Sequence, residues 1–456
     1  MQPNLANLLV SVQAAIAAMT PVVIVPPPPP PPPTSGSSQP TSGQATPAMI
    51  PNPAVRVWNG KFVDGNNAPI QPRGVNYSGY EGASILGYGV PNASGNQDGG
   101  GATPAYDAMR NGWKCNIVRL PLNEASWLNL TTFDVTGASR KADPNFGLPQ
   151  GNYQTQIKAT VDAATAKGML IILDLHWNAP NASRPGQTGK VPATPFDEGT
   201  GGQNAMADID HSITFWTQVA TMFKAYPNVL FDLFNEPYMQ DWVTWLNGGT
   251  WNQVTTGSLK ALTDPCVNGQ TIQQFYFAGG VPDKEGNTNV WKYAYQWQYV
   301  GMQQLINAVR ATGATNVVLA GGIDYAGDLT GWLASGIADP LNQLAVSWHP
   351  YPKSDQSHVA TDVYPSDGLI QYTHAEQLIA SGFPVLMTET RGSDGSYDGT
   401  PYMQQICQWA DKTGSGITAW VWDRWGNALI LNATDPTYAP SPGYATYYHN
   451  WLVNHG

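Results

Sequence analysis

Eight short apolar runs alternate with amphipathic stretches along most of this 456-residue chain, and this rhythm limits the possible folds more than any other feature. Most of the runs are almost continuously hydrophobic, which is typical of parallel strands buried on both faces. The intervening stretches carry apolar residues three and four positions apart and end near Gly or Pro, as helices do. The predicted strands are Arg73–Ser78, Asn116–Leu122, Leu170–Trp177, Val229–Asn235, Val317–Gly322, Ala345–His349, Pro384–Thr390 and Ile417–Trp422.

This alternation predicts an α/β fold, a (β/α)8 TIM barrel with long insertions on its C-terminal face. A doubly wound open sheet is the alternative, and it usually carries a Gly-rich phosphate-binding turn after its first strand. Here the run Gly99–Gly101 lies in a loop before Thr103, and no G-x-G-x-x-G motif opens a helix. We therefore favour the barrel, in which functional residues gather at the carboxyl ends of the strands.

Two helical patterns precede the predicted strands that begin at Val229 and Val317. Ser212 is the predicted N-cap of a helix that contains Trp216 and Val219 on one face. Another helical pattern combines Tyr295 with Met302, Leu305, Ile306 and Val309.

The first 55 residues carry no ionisable side chain and differ in composition from the rest of the chain. Residues 1–25 are apolar but lack the basic start of a signal peptide, so we interpret them as either a signal remnant or a tail. Residues 26–53 begin with eight prolines and continue with Ser, Thr, Gly and Pro, which predicts an extended linker. Residues 54–456 would then form the one folded domain of the chain.

Composition excludes several classes of partner. A net charge of −11 makes nucleic acid an unexpected ligand, and no run of about 18 apolar residues predicts a membrane span. Three cysteines are too few for a disulfide scaffold, and their spacing does not indicate a zinc site. The 17 Trp, 21 Tyr and 11 Phe exceed what a core requires and indicate a groove for an uncharged ligand.

Two glutamates directly follow strongly apolar predicted strands. Glu236 follows the run VLFDLFN and Glu389 follows PVLMT. A pair of carboxylates facing one cleft is the minimum equipment for cleaving a glycosidic bond, because one delivers a proton to the leaving oxygen while the other attacks the anomeric carbon. Like charges at close range push the two pKa values apart, which separates these roles.

Other polar and aromatic side chains lie at the ends of the remaining strands. Each of them alone has a structural explanation, but their joint placement favours one site. These residues are Arg119, His176, Trp177, Asn235, His349, Tyr351 and Trp422. The other histidines lack such placement, and we interpret them as solvent or loop residues: His211, His358, His374, His449 and His455.

From Arg73 to Trp422 the ordered motifs resemble those of glycoside hydrolase family 5, within the clan of retaining (β/α)8 glycosidases. Asn235-Glu236-Pro237 resembles the family's strand-4 signature, in which the glutamate is the acid/base. Thr388-Glu389 resembles the strand-7 nucleophile motif. The resemblance implies that no metal or organic cofactor is needed.

The same resemblance implies supporting roles for the remaining residues. Arg119 would help to hold the nucleophile ionised, and Asn235 would bind the sugar 2-hydroxyl. His176 would lie at the −1 sugar site and Trp422 beneath the −1 sugar. Trp177 is placed near the reaction centre by its position at a strand end, not by the resemblance. His349 and Tyr351 would flank the two carboxylates.

We expect a secreted, monomeric endo-β-1,4-glucanase that acts on cellulose or a related β-glucan with retention. A β-1,4-mannanase or a xyloglucanase on the same machinery is the alternative, and a non-catalytic glycan-binding protein is the rival of a different class. The long loops 178–211 and 238–289 leave the substrate open. Their tryptophans, among them Trp242, Trp245 and Trp251, could stack on sugars or hold the insertions together.

Overall fold

The computed structural model describes residues 38–41, 43–81, 102–128, 152–178, 203–209, 211–238, 241–258, 275–277, 290–352, 369–392, 399–423, 428–430 and 438–456. For 102–104, 152, 250–258, 275–277, 290–298 and 369–371 the description covers the backbone alone. The predictions for residues 1–25, for His358 and for the side chain of Trp251 lie outside this description.

Eight parallel strands close into a barrel, which confirms the predicted fold class. Their order around the barrel follows the chain, and the last strand pairs with the first through Ile417 and Arg73. The strands are β3 (Arg73–Asn76), β4 (Ile117–Asn123), β5 (Leu170–Trp177), β6 (Val229–Asp232), β10 (Val318–Gly321), β11 (Leu344–Trp348), β12 (Val385–Met387) and β13 (Gly416–Ala419). Each strand overlaps its predicted run, and six of the eight end one to three residues earlier than predicted.

The described helices lie between these strands and after the last one. They are α1 (Ala102–Asp107), followed by a π-helical turn (Ala108–Gly112), α2 (Glu124–Leu128), α3 (Asn152–Ala166), α4 (Ser212–Phe223), α5 (Trp242–Asn247), α6 (Met302–Ala311), α7 (Leu369–Ala380), α8 (Thr400–Thr413) and α9 (Tyr444–Asn454). None of them combines the length and apolar character needed to cross a bilayer.

Two apolar cores follow from the alternation of side chains along each strand. The larger core lies between the barrel and the helices. The smaller core fills the lower barrel interior with one or two residues from six of the eight strands, such as Ile117, Ile172, Leu230 and Leu386. A hairpin of β1 (Arg56–Trp58) and β2 (Lys61–Val63) contributes to this smaller core, so it closes the end opposite the strand C-termini.

Part of the predicted linker is attached to this domain. Gln39 is buried, and its side-chain amide donates to the carbonyl oxygens of Leu344 and Gly382 at 2.6 and 3.1 Å. Among the described residues the linker therefore has ordered contacts from Gln39 onward.

The insertion after β6 holds an antiparallel sheet that the sequence analysis did not predict. Its strands are β7 (Gly249–Ser258), β8 (Phe275–Phe277) and β9 (Val290–Tyr299), in the order β7-β9-β8. Tyr295 pairs with Gln253 in this sheet, so the prediction that it belongs to a helix is wrong. The run VWKYAYQWQY is rich in aromatic residues with high strand propensity, and the helix begins only at Met302.

At the start of the same insertion, two tryptophans have structural contacts. Trp245 is fully buried, and its indole N–H donates to the carbonyl oxygen of Gly321 at 3.0 Å. Trp242 packs against it edge to face, with ring centroids 5.1 Å apart. These contacts fix the insertion to the end of β10.

His211 is also placed differently from the prediction. It is buried as the N-cap residue of α4, one position before the predicted cap Ser212. Its Nδ1 lies 3.3 Å from a carboxylate oxygen of Asp208 and 4.0 Å from one of Glu124. The end of the long β5–α4 loop packs inward here, which sequence spacing alone does not reveal.

Candidate active site

The barrel interior changes from apolar to polar one layer above the smaller core. On five strands, the residue two positions after an apolar core residue is polar, because alternate residues face the same way. These buried polar residues are Arg119, Asp174, Asp232, Ser347 and Thr388. The layer is the floor of the site.

Arg119 is the centre of this layer. Its Nη1 donates to Glu389 Oε1 at 2.6 Å and to Asn76 Oδ1 at 2.9 Å, and its Nη2 donates to Asn235 Oδ1 at 2.8 Å. Asn76 is held in turn by hydrogen bonds to the carbonyl oxygens of Thr388 and Thr418. One guanidinium therefore fixes the carboxylate after β12 and the amide after β6.

Two further buried carboxylates contact the same guanidinium. Nη2 lies 3.0 Å from Asp174 and 3.1 Å from Asp232. Burial disfavours the charge on Arg119, but the three surrounding carboxylates outweigh it and raise its pKa above the usual range. Burial raises the pKa of Asp232 to about 8, with Asp174 adding to this effect and Arg119 opposing it. Asp232 is therefore the acid in this layer that favours the protonated form.

Glu389 accepts one donor on each carboxylate oxygen. Arg119 binds Oε1, and the hydroxyl of Tyr351 donates to Oε2 at 2.8 Å. Burial, together with the charge of Glu389, raises the pKa of Tyr351 well above its ordinary value, so Tyr351 remains a donor. Charge-assisted bonds of this kind stabilise a carboxylate in its ionised form.

Glu236 lies across the opening and is the more exposed of the two glutamates. His349 Nδ1 is 2.9 Å from Glu236 Oε1 and 3.8 Å from Glu389 Oε2, so the imidazole lies between the two carboxylates. Burial lowers the pKa of His349 to about 4, although the charge of Glu389 acts in the opposite direction. At neutral pH the imidazole beside Glu236 is therefore uncharged.

The two carboxylates are close enough to act on one bond. An oxygen of Glu236 and an oxygen of Glu389 lie within 4.8 Å of each other and of a ring nitrogen of His349. Glycosidases that form a covalent intermediate hold their carboxyl groups about 5–5.5 Å apart, whereas inverting enzymes hold them about 6.5–9.5 Å apart. The nearest oxygens of the two glutamates are therefore no farther apart than the carboxyl groups of the first class.

His176 lies at the upper end of β5, above Asp174. Its Nδ1 is 2.7 Å from Asp174 Oδ2, and its ring is parallel to that of Trp420, with centroids 5.8 Å apart and 5° between the planes. Burial alone would lower the pKa of His176, but the hydrogen bond to Asp174 and its charge raise the pKa to about 9. His176 therefore carries a positive charge at neutral pH.

The structure corrects the predicted position of Trp422. This residue is 2% exposed and packs against Trp113 and Tyr438, with ring centroids 5.1 and 5.5 Å away. Trp420 is half-buried and covers His176 instead. Strand β13 ends at Ala419, so Trp420 is the first residue after the strand. Both tryptophans occur in the sequence AWVWD. The sequence does not show that the strand ends before the first of them, and this end decides which tryptophan faces the site.

Trp177 is half-buried at the end of β5, where the pairing with β4 shifts register. Its predicted place near the reaction centre stays a prediction. The structure brings together the other predicted site residues: Arg119, His176, Asn235, Glu236, His349, Tyr351 and Glu389.

Two groups among the described residues have the spacing of metal ligands. One is Glu236 with His349 and Glu389, and the other is Glu124 with Asp208 and His211. In the first group both oxygens of Glu389 already accept protein donors.

A TIM barrel with two closely spaced carboxylates at the C-terminal ends of its strands has the architecture of a glycoside hydrolase. A family model described as cellulase, glycosyl hydrolase family 5, matches residues 63–272 and 282–427, more than half of the chain. The chain belongs to this family, and it is a glycoside hydrolase.

Solved structures share the fold at low sequence identity. A β-glucanase from Saccharophagus degradans is 18% identical, with a TM-score of 0.55 over 91% of this chain and 98% of its own. The same enzyme in complex with cellotetraose gives the same identity and TM-score. A protein from Cytophaga hutchinsonii is 14% identical, with a TM-score of 0.50 over 89% of this chain and 96% of its own. The search of curated proteins found no match.

Proposed function

We propose that this protein is a retaining endo-β-1,4-glucanase that hydrolyses internal bonds of cellulose or related β-glucans. The observation that carries the proposal is the pair of glutamates within 4.8 Å in contrasting environments. Glu389 is bound by a guanidinium and a phenol, whereas Glu236 lies beside an uncharged imidazole.

In the first step Glu389 attacks the anomeric carbon while Glu236 gives its proton to the leaving oxygen. Arg119 and Tyr351 hold Glu389 ionised and oriented for this attack. An uncharged His349 supports the proton on Glu236, because an imidazolium there would favour the ionised carboxylate. The C–O bond to the leaving sugar breaks as the bond to Glu389 forms, which gives a glycosyl-enzyme ester.

In the second step Glu236, now ionised, removes a proton from water, and the water oxygen attacks the anomeric carbon. Glu389 leaves as a carboxylate whose returning charge is stabilised by Arg119 and Tyr351. Two inversions give a product of retained configuration. Asn235 binds Arg119 through Oδ1, which leaves its Nδ2 to donate to a sugar hydroxyl.

The substrate assignment rests on the comparisons and on one aromatic surface in the site. The family description names cellulase, and the similar β-glucanase was solved with cellotetraose. Trp420 over His176 supplies an aromatic surface suited to a sugar ring. A β-1,4-mannanase or a xyloglucanase is the second candidate, because the long loops that select the sugar chain differ between such enzymes.

A substrate panel tests this assignment. Reducing ends released from carboxymethylcellulose, barley glucan, mannan and xyloglucan should give the highest kcat/KM on one of the two glucans. Highest activity on mannan would overturn the substrate proposal. Proton NMR of the first product should show the β-anomer before mutarotation, and initial α-anomer would refute retention.

A glutamate variant tests the assigned nucleophile. Glu389→Gln should lose at least about 1,000-fold in kcat because the attacking carboxylate is gone. The matched control is Glu376→Gln on the outer helix α7, where the glutamate pairs with Lys412. Wild-type activity in Glu389→Gln would exclude this residue as the nucleophile.

We further propose that residues 54–456 are the catalytic domain and that the protein acts outside the cell as a monomer. Insoluble polysaccharides do not enter cells, so an enzyme that cleaves them must meet them outside. Light scattering of the purified protein should give one chain per particle, and a dimer mass would refute the monomer.

A further inference from the structure

Gln203 is a residue outside the expected catalytic set that touches the candidate acid/base directly. Its Nε2 donates to Glu236 Oε2, while His349 Nδ1 contacts the other oxygen, Oε1. Gln203 belongs to the long loop between β5 and α4, for which sequence analysis offered only a role in substrate choice. We propose that Gln203 is a positioning residue that orients Glu236 and lowers its proton affinity.

The segment that carries Gln203 is anchored independently of the substrate. Asn204 is buried, and its Nδ2 donates to the side-chain and backbone oxygens of Asn178 at 2.9 and 3.3 Å. Asn178 donates in turn to the carbonyl oxygen of Met206 at 3.0 Å and to Asp208 at 3.1 Å. Residues 204–208 are therefore bound to Asn178, directly after the end of β5.

Backbone bonds fasten the same segment to the insertion on its other side. Tyr238 N–H, two residues after Glu236, donates to Ala205 O at 3.1 Å, and Val300 N–H donates to Ala207 O at 2.9 Å. Residues 205–208 are thus held between the exit of β6 and the end of β9. Gln203 lies two residues before this held stretch in the chain, so its amide is presented to Glu236 by anchored backbone.

The sign of the effect follows from hydrogen-bond chemistry. An amide N–H can only donate, so it binds a carboxylate better than a protonated carboxyl at the same oxygen. As Glu236 gives up its proton in the first step, the bond from Gln203 strengthens and stabilises the charge that develops. The same bond limits how basic Glu236 becomes in the second step. The catalytic part of this inference rests on the proposed function, but the effect on proton affinity does not.

A direct titration measures that proton affinity without any substrate. The chain contains only seven glutamates, so selective 13C labelling of the glutamate side-chain carboxyls gives seven resonances. Glu236→Gln assigns the resonance of interest. Gln203→Ala should titrate at higher pH than wild type by roughly half to one pH unit, and Gln203→Glu should titrate higher still because it adds a negative charge. The control Gln303→Ala removes a comparable amide contact on the outer helix α6, and the Glu236 midpoint should not change.

Kinetics supplies the second readout. In Gln203→Ala the alkaline limb of the kcat/KM profile should move in the same direction, with a loss of roughly 3- to 10-fold on cello-oligosaccharides. A 2,4-dinitrophenyl cellobioside needs no acid to leave, so its kcat/KM should fall less. Equal losses on both substrates with an unchanged Glu236 midpoint would show that Gln203 only supports the loop.

Other outcomes overturn the proposal as well. A Glu236 midpoint that stays within about 0.2 pH unit in both variants would refute it, and so would a midpoint that moves to lower pH, which would mean that the amide oxygen faces Glu236. The proposed function fails on a different result, wild-type hydrolysis by Glu389→Gln. The two failures are therefore distinguishable.

Discussion

Replacing His349 with Asn should make the folding stability of this enzyme less sensitive to acid. In the folded protein the buried imidazole has a pKa of about 4, against an ordinary value of 6.5. As the pH falls through 6.5, the His349 imidazole becomes protonated in the unfolded chain, whereas in the folded chain it becomes protonated only near pH 4. Stability that His349 contributes above pH 6.5 is therefore lost progressively between these two values.

The magnitude follows from the two pKa values. A difference of one pKa unit corresponds to about 1.4 kcal/mol, so the wild type should lose about 2.5 kcal/mol more than the variant between pH 7.5 and pH 4.5. The side chain is fully buried, so solvent screening does not reduce this figure. The direct cost of replacing the ring is the same at both pH values and cancels in the comparison.

Urea unfolding at pH 7.5 and pH 4.5 measures the effect. The quantity to compare is the free energy of unfolding of the wild type minus that of His349→Asn. This difference should be smaller at pH 4.5 than at pH 7.5, because acid destabilises the wild type more. His374→Asn on helix α7 is the matched control for losing an imidazole. A gap that changes by less than about 0.5 kcal/mol would refute the reasoning, because His349 would then titrate as in the unfolded chain.

Three further predictions concern the candidate site. Trp422→Ala should lower the free energy of unfolding by about 3–5 kcal/mol because it empties a core position. Trp420→Ala should instead lower kcat/KM on glucan at least about 10-fold, with a much smaller loss of stability. Urea unfolding and reducing-end assays measure the two effects, and the reverse pattern would contradict this placement. Tyr351→Phe removes a bond of about 1.5–3 kcal/mol to a charged group and should lower kcat roughly 10- to 100-fold, so unchanged turnover would exclude the bond from the reaction. Arg119→Met leaves buried carboxylates without their cation and should cost about 3–5 kcal/mol of stability in urea unfolding; a loss below about 1 kcal/mol would refute its central place.

The fold was predictable because a parallel barrel strand is buried on both faces. A run such as Leu170–Trp177 is almost continuously apolar for this reason, and each such run marks a strand. The antiparallel sheet β7–β9 was missed because it belongs to an insertion that does not continue the barrel rhythm. Its strand β9 was split between a loop and the following helix, whose apolar spacing extends back to Tyr295 by coincidence.

The candidate site was predictable where its residues follow strand ends closely, as Glu236 and Glu389 do. It was not predictable where one or two positions decide which way a side chain points. Trp420 and Trp422 are two residues apart, yet one covers His176 and the other fills the core. The contact between Gln203 and Glu236 was not predictable for another reason. The two residues are 33 positions apart in the chain, and only the fold brings them together.

The buried charges explain how such a charge-poor chain can operate two carboxylates at one cleft. Arg119 and His176 supply two positive charges to the barrel interior, and Asp174 and Glu389 contact these groups. Burial and the neighbouring Asp174 favour the protonated form of Asp232, which limits the negative charge of this layer. The positive groups contact the floor and one side of the site, while Glu236 and Glu389 face the opening. A neutral sugar can therefore bind without displacing a bound ion. The positive charge that develops at its anomeric carbon then lies next to the two carboxylates.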